Sequence, residues 1–252
     1  MKVYVIICLI MTPKLLILYK VARILNNEIF NLTRMYCNNF ENVTSYFIVC
    51  DDTIAQDVLI EDQIIKVKLM EDNWYSLLIK VIKSYELFRT RDYTHVMVSN
   101  VSTIVNIPVV HQLISNHDST VKCMSVKGDY TFNNIRYDFP SGAGWIFTMD
   151  LVNTICDFFD SNAFIINNKL TSNFLNNFPT TDDLFFGYYL HMNRIEIEPI
   201  PRLDAHTSEF IANFNLGTDL NYSHYRIKTW NYDSDVKIFS HILKSLYPQL
   251  YS

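Results

Sequence analysis

The chain has 252 residues, 49% hydrophobic, 14% aromatic and 19% charged, with a formal net charge of -5. A chain this long buries about three quarters of the surface its unfolded form exposes, which excludes collagen, long disorder and a low-complexity tail and leaves one domain as the default. The acidic balance comes with no run of Lys or Arg able to neutralise several phosphates, which argues against a nucleic-acid partner.

The first apolar run, Val3-Tyr-Val-Ile-Ile-Cys-Leu-Ile10, is too short to span a membrane, because Thr12, Pro13 and Lys14 stop it. It is long enough for a signal-peptide core, but no small-x-small cleavage site follows, so a buried first strand is the better reading. Residues 15–30 then carry apolar side chains at mixed helical spacing and are expected as a helix. Tyr46-Phe-Ile-Val-Cys50 is a second continuous apolar strand, of the kind covered on both faces. Ile64-Ile-Lys-Val-Lys-Leu69 is a third, more exposed one. Trp74, Leu77, Leu78, Val81, Ile82, Tyr85 and Phe88 recur on one face of a helix, the clearest in the chain.

His95-Val-Met-Val-Ser99 forms a fourth strand running into Asn100, and a helix starts near Pro108, where a missing amide costs nothing. Alternating strands and helices predict a mostly parallel central sheet flanked by helices, an α/β architecture. Further on come a turn at Ser141-Gly-Ala-Gly144, a strand from Trp145 to Phe147, and a helix capped by Asp150. Thr180 and Asp183 are spaced like a capping box at the start of another helix. The last helix begins near Ser234 and turns Val236, Phe239, Ile242, Leu243 and Leu246 to one side. There is no internal repeat and no flexible linker.

Cys8, Cys37, Cys50, Cys123 and Cys156 are odd in number and form no C-x-x-C pair, which fits buried thiols in a reducing compartment, the cytoplasm. The five glycines make neither G-x-G-x-x-G nor a P-loop, and H-E-x-x-H and G-x-S-x-G are missing too. Dinucleotide oxidoreductases, P-loop NTPases, zinc proteases and α/β-hydrolases therefore lose their usual support.

What remains is a set of polar residues at element ends. Asp51 and Asp52 close a strand at the sheet edge where α/β proteins bind ligands, and a carboxylate there can accept from a ribose or a base; a solvated turn has the same spelling. Asp182 and Asp183 lie in a first helical turn, where the macrodipole favours an ionised carboxylate that can take a proton; an ordinary helix start reads the same way. Ser141, Gly142, Ala143 and Gly144 let a backbone approach a ligand closely beside the ring of Trp145, on which a sugar can stack. His224, Arg226 and Lys228 alternate along one side of a strand, as suits a diphosphate with or without a metal; an edge strand carrying Lys to resist pairing looks alike.

Four segments in order resemble the GT-A glycosyltransferases of the fringe and β-1,3-galactosyltransferase type, including their short viral and bacterial relatives. Glu71-Asp-Asn-Trp-Tyr-Ser-Leu-Leu-Ile-Lys80 is similar to the D-x-Y-x-N-L-T-L-K helix, and Ser99-Asn-Val-Ser-Thr103 to the strand-end R-T-N-x-S-S of the short relatives. Phe139-Pro-Ser-Gly-Ala-Gly-Trp145 is similar to P-x-x-x-G-x-G-Y, and Thr181-Asp-Asp-Leu-Phe-Phe-Gly187 to D-D-V-x-x-G. Taken with the strand from Tyr46 and the row that ends at Lys228, the ordered set covers roughly residues 46–228.

The resemblance implies one GT-A-like domain over residues 1–252, with a nucleotide-binding half to about residue 105 and an acceptor half beyond. It implies inverting transfer from a nucleoside diphosphate sugar, a UDP-sugar above all, to a glycan or glycoconjugate hydroxyl. Asp183 or Asp182 would then be the base, and Asp51, Asp52, Lys80, Asn100, Ser102, Arg226 and Lys228 would bind the donor. Residues 141–145 would line the sugar or acceptor. The family's D-x-D metal motif is replaced by Ser99-Asn-Val-Ser102, whose neutral oxygens bind manganese or magnesium poorly. Three outcomes stay open: weak metal use through Asn100, Ser102 and His224, metal-free catalysis by Arg226 and Lys228, or loss of catalysis. The last would make the chain a nucleotide- or carbohydrate-binding protein. A nucleotidyltransferase-like reading lacks its Gly-rich loop. The Asn- and Ile-rich, Ala-poor composition points to an AT-rich genome, of a large virus or a microbe, and four N-x-[ST] sequons are expected by chance at this Asn content.

Overall fold

The strand that organises the molecule is Leu15-Leu-Ile-Leu-Tyr-Lys20, every residue of which is buried. The computed structural model describes residues 13–21, 27–71, 75–207, 214 and 219–251. In chain order the elements are β1 (Leu15–Lys20), α1 (Asn27–Cys37), β2 (Val43–Cys50), β3 (Val58–Glu61), β4 (Ile64–Val67), α2 (Tyr75–Phe88), β5 (His95–Asn100), β6 (Thr103–Val105) and α3 (Ile107–Asn116). There follow β7 (Cys123–Phe132), β8 (Ile135–Thr148), α4 (Met149–Asn162), β9 (Ile165–Ile166), β10 (Lys169–Leu170), α5 (Ser172–Asn177), α6 (Asp182–Met192), β11 (Ile197–Pro199), β12 (Arg202–Ala205), β13 (His224–Ile227) and α7 (Tyr232–Leu246).

Eight strands form the main sheet in the order β11-β7-β8-β5-β1-β2-β4-β3. β5, β1, β2 and β4 run parallel at its centre, β8 and β7 join antiparallel, and β3 closes the far edge antiparallel to β4. Alternate residues of β1 feed opposite cores. Leu16 and Leu18 pack with α2, α4 and α6, while Leu15, Ile17 and Tyr19 pack with α1, α3 and α7. The result is the α/β sheet with helices on both faces that the alternating pattern predicts. No described helix is long and apolar enough to cross a membrane.

Several expectations need correction. The helix expected over residues 15–30 is strand β1 in its first part, and α1 begins only at Asn27. A five-residue apolar run has no period that separates strand from helix, and here pairing with β2 and β5 on both sides decides for strand. The run at residues 3–10, and Trp74, lie outside the described residues. Residues 141–144 are not a turn but part of the 14-residue β8, although they form a wide bulge. Between the pairs Ser125–Trp145 and Lys127–Pro140, one residue of β7 faces four of β8. Thr148, not Asp150, caps α4, by accepting from the Leu151 amide. β13 is the middle of a small sheet, β12-β13-β6, and not an edge strand.

Helix α6 crosses β8 so closely that a Cβ on Gly187 would lie 2.4 Å from Phe139 Cβ, 2.6 Å from its Cα and 2.8 Å from the Asp138 carbonyl. An alanine at a helical glycine normally gains about 1 kcal/mol of propensity. Here the added methyl must push the helix off backbone that cannot yield, an overpacking cost of about 1–3 kcal/mol. Gly187→Ala is therefore expected to lower the unfolding temperature by several degrees in scanning calorimetry; an unchanged or higher value would show that α6 has room.

Candidate functional site

Strand β1 ends in Lys20, β5 ends in Asn100 in register with it, and the bulge of β8 passes beside them to meet the start of α6. The Lys20 ammonium donates to Asp182 Oδ2 at 2.5 Å and stands 4.5 Å from the centre of the Trp145 ring. Asp182 Oδ1 accepts from the Asp183 amide at 2.9 Å, and Asp183 Oδ1 accepts from the Leu184 amide at 2.9 Å. The two carboxylates thus satisfy the first amides of α6 themselves, with Thr181 at the N-cap, and the expected capping box with Thr180 does not form.

Asp183 Oδ2 is left turned toward Gly142, 3.0 Å from where a Cβ would stand. Burial, and next the charge of Asp182, hold the Asp183 carboxyl above its usual range, while Lys20 pulls it back. A carboxylate with raised proton affinity is the better base.

Two residues on, a Cβ on Gly144 would lie 2.9 Å from His224 Nε2 and 3.3 Å from Met97 Cε. His224 is fully buried. Its Nδ1 lies 2.9 Å from Ser223 Oγ, and that hydroxyl spends its one proton on the Pro201 carbonyl at 2.5 Å. Ring Nδ1 must therefore be the donor, which leaves Nε2 a bare lone pair, and Nε2 has no hydrogen-bond partner. Burial, with the Arg202 cation adding to it, pushes the imidazole pKa down to about 3, so the ring is neutral.

The structure brings together Asp182, Asp183, Gly142, Gly144, Asn100 and His224. Trp145, Lys80 and Asp51 do not join them. Trp145 is wholly buried, its indole N–H donating to the Tyr85 hydroxyl at 3.1 Å, so its ring is core beneath Lys20 rather than a platform for a sugar. Lys80 is buried as well, its three donors taken by the Val21 carbonyl at 2.7 Å and the two Glu71 oxygens at 3.1 and 3.3 Å; it fastens the chain leaving β1 and has no donor left for a phosphate. Ser141 Oγ accepts from Arg202 at 2.5 Å, and the Ala143 carbonyl accepts from Ser99 Oγ at 2.6 Å, which fix the bulge from both sides.

Asp51 sits past the end of β2, next to β4. Its Oδ1 accepts from the Thr53 amide and hydroxyl, its Oδ2 lies 3.8 Å from Lys66, and the Thr53 bonds hold its carboxyl below the usual range. Asp52 is exposed. Ser102 offers its carbonyl to the Ile227 amide, and so ties the end of β5 to β13. Of the expected row, His224 is the buried, neutral member. Arg226 is part-exposed on β13 opposite Asp204, and Lys228 lies 4.0 Å over the ring of Trp230.

Two residues beside this cluster carry no plain signal in the sequence. Lys20 closes an apolar run that reads as helix, and only the placement of β1 between two strands reveals a cation at the sheet's C-terminal edge. Arg202 pairs with Asp204, Nε to Oδ1 at 2.9 Å, and faces His224 from β12; the i, i+2 spacing of Arg202 and Asp204 on a strand is the signal that was available.

The donors present do not fit a divalent cation. Among the described residues no group of three His, Cys, Asp or Glu side chains converges, the candidate oxygens of Asn100 and Ser102 are neutral, and the imidazole lone pair is buried near the Arg202 cation.

No protein-family model matches the chain, and no curated protein matches it. Among solved structures it is similar to a glycosyltransferase involved in the glycosylation of the major capsid of PBCV-1, at 8% identity over 90% of this chain and 99% of that one, with a TM-score of 0.51. A second likeness is to the glycosyltransferase GlyE of Streptococcus pneumoniae TIGR4, at 8% identity over 95% of this chain and 62% of that one, with a TM-score of 0.43. At such identity the first likeness carries the fold: a sheet and helix arrangement found in a glycosyltransferase, matched along nearly the whole length of both chains.

Proposed function

We propose that the chain is an inverting glycosyltransferase that moves a sugar from a nucleoside diphosphate donor, a UDP-sugar above all, to a hydroxyl of a glycan or glycoconjugate, and that it is allied to the fringe and β-1,3-galactosyltransferase type. The observation that carries this reading is the Asp183 carboxylate, turned over the glycine bulge of β8 with its proton affinity raised. In the reaction the acceptor hydroxyl gives its proton to Asp183 Oδ2 as its oxygen bonds to the anomeric carbon. The bond from that carbon to the diphosphate oxygen breaks, and the leaving group takes the electron pair. Arg226 and Lys228, on and just beyond β13, meet the negative charge that develops there, and fixed cations stabilise such charge more in the transition state than in the ground state. No step runs through a metal. Four free cysteines among the described residues accord with a cytoplasmic setting, the host's if the gene is viral.

The neutral strand end at Asn100, where the resembling family carries carboxylates, favours one second reading: a nucleotide- or carbohydrate-binding protein that keeps the fold without the chemistry. Incubation with UDP-sugars and a glycan panel separates the two. Transfer that releases UDP and survives EDTA is expected. Binding of UDP without any release, with or without manganese, would overturn the enzyme reading and leave the binding one.

A further inference from the structure

Lys20, Asp182 and Asp183 bring one cation and two carboxylates together beside the β8 bulge. The side chains of Lys20 and Asp182 are 4% and 5% exposed. From the point a Cβ would occupy on Gly142, Asp183 Oδ2 is 3.0 Å away and Lys20 Nζ 3.7 Å, so the ammonium that grips Asp182 also stands near Asp183 and acts on its charge. Two neighbouring carboxylates repel each other's charge, and an ammonium favours the ionised form of a carboxylate it touches. Lys20 reaches only one of them at bonding distance.

We propose that Lys20 is a positioning residue that divides the work of the aspartate pair, holding Asp182 as a fixed ionic strut and leaving Asp183 alone to take the acceptor proton. The inference rests on the transferase reading above and deepens it, because it settles which of two adjacent carboxylates is the base. The geometry of the strut supports it: the ion pair joins the end of the central strand to the first turn of α6 across 162 positions of sequence, and the ammonium rests 4.5 Å from the centre of the Trp145 ring. The groups facing Asp183 are Asp182 from its own helix, Lys20 from β1, and the Tyr137 phenol from β8.

Two variants test the assignment with opposite signs. Lys20→Met removes the cation while keeping a chain that can lie over Trp145, so the acid limb of the kcat/KM pH profile should move up by about one unit or more. Asp182→Asn removes the like charge, keeps an oxygen for the Asp183 amide, and frees Lys20 to face Asp183, so the limb should move down. Lys20→Arg should restore it toward the parent value. The carboxyl carbon shift of Asp183, followed by NMR through the same pH range, reports the same displacements without turnover. Limbs that move the same way, or stay put while kcat falls equally in both variants, would overturn the proposal and make the pair merely structural. If Lys20→Met fails to fold, Asp182→Asn alone decides by whether its limb falls. If the NMR displacements appear as expected but the parent protein never releases UDP, the transferase reading fails while the division of the pair stands.

Discussion

Asp183→Asn is expected to cut transfer by about 10²–10⁴-fold while leaving UDP binding close to the parent value. The substitution keeps the size of the side chain and an oxygen for the Leu184 amide, so the first turn of α6 keeps its hydrogen bond. What it loses is the carboxylate turned to Gly142 that can take a proton. The effect belongs to kcat, since in the proposed reading the diphosphate is met by Arg226 and Lys228 on another element, which the substitution does not touch. Single-turnover transfer, paired with a thermal-shift titration of UDP, measures both halves. A variant within a few-fold of the parent in transfer would remove Asp183 from the chemistry, and a variant that loses UDP binding as well would make its role structural.

The parts of this arrangement that were legible share one property: they depend on chain-local signals. The periodic face of α2, the continuous run of β2, the Pro108 start of α3 and the acidic first turn of α6 are each set by residues within one element, and each is found where the pattern places it. The missed parts depend on contacts between distant segments. Leu15–Lys20 carries the same letters a buried helix would, and only β2 and β5 at its sides make it a strand. The glycines at 142 and 144 read as a turn because glycine is common in turns; no described glycine has a positive φ, and what these two supply is room for Asp183 and His224. Trp145 and Lys80 looked available because an aromatic ring and an ammonium are useful to a ligand. Whether they face a ligand or the core is decided by Tyr85, Val21 and Glu71, which no spacing ties to them.

His224 carries the last expectation, on stability rather than turnover. Folding holds its imidazole neutral, with a pKa of about 3 against about 6.5 in the unfolded chain, and holds half-buried His95 at about 4, burial being the leading cause in both. The depressed value means that the unfolded state binds the extra proton below pH 6.5. Stability is therefore independent of these groups above that pH, falls as pH drops through the window from 6.5 toward 3, and does so by up to about 1.4 kcal/mol per unit for each fully buried ring. At pH 5 His224 alone should account for about 2 kcal/mol, with His95 adding a smaller share because solvent reaches part of it. Urea unfolding at pH 7 and pH 5 measures the loss. His224→Asn places an amide nitrogen where Nδ1 donates to Ser223 and has nothing to titrate, so it should remove most of the pH-dependent loss while lowering stability at pH 7 through the space it leaves. Equal losses in parent and variant would mean that the ring is protonated in the folded protein. Its Nε2 would then be a donor and no longer a lone pair, and the neutral imidazole beside Gly144 would have to be given up.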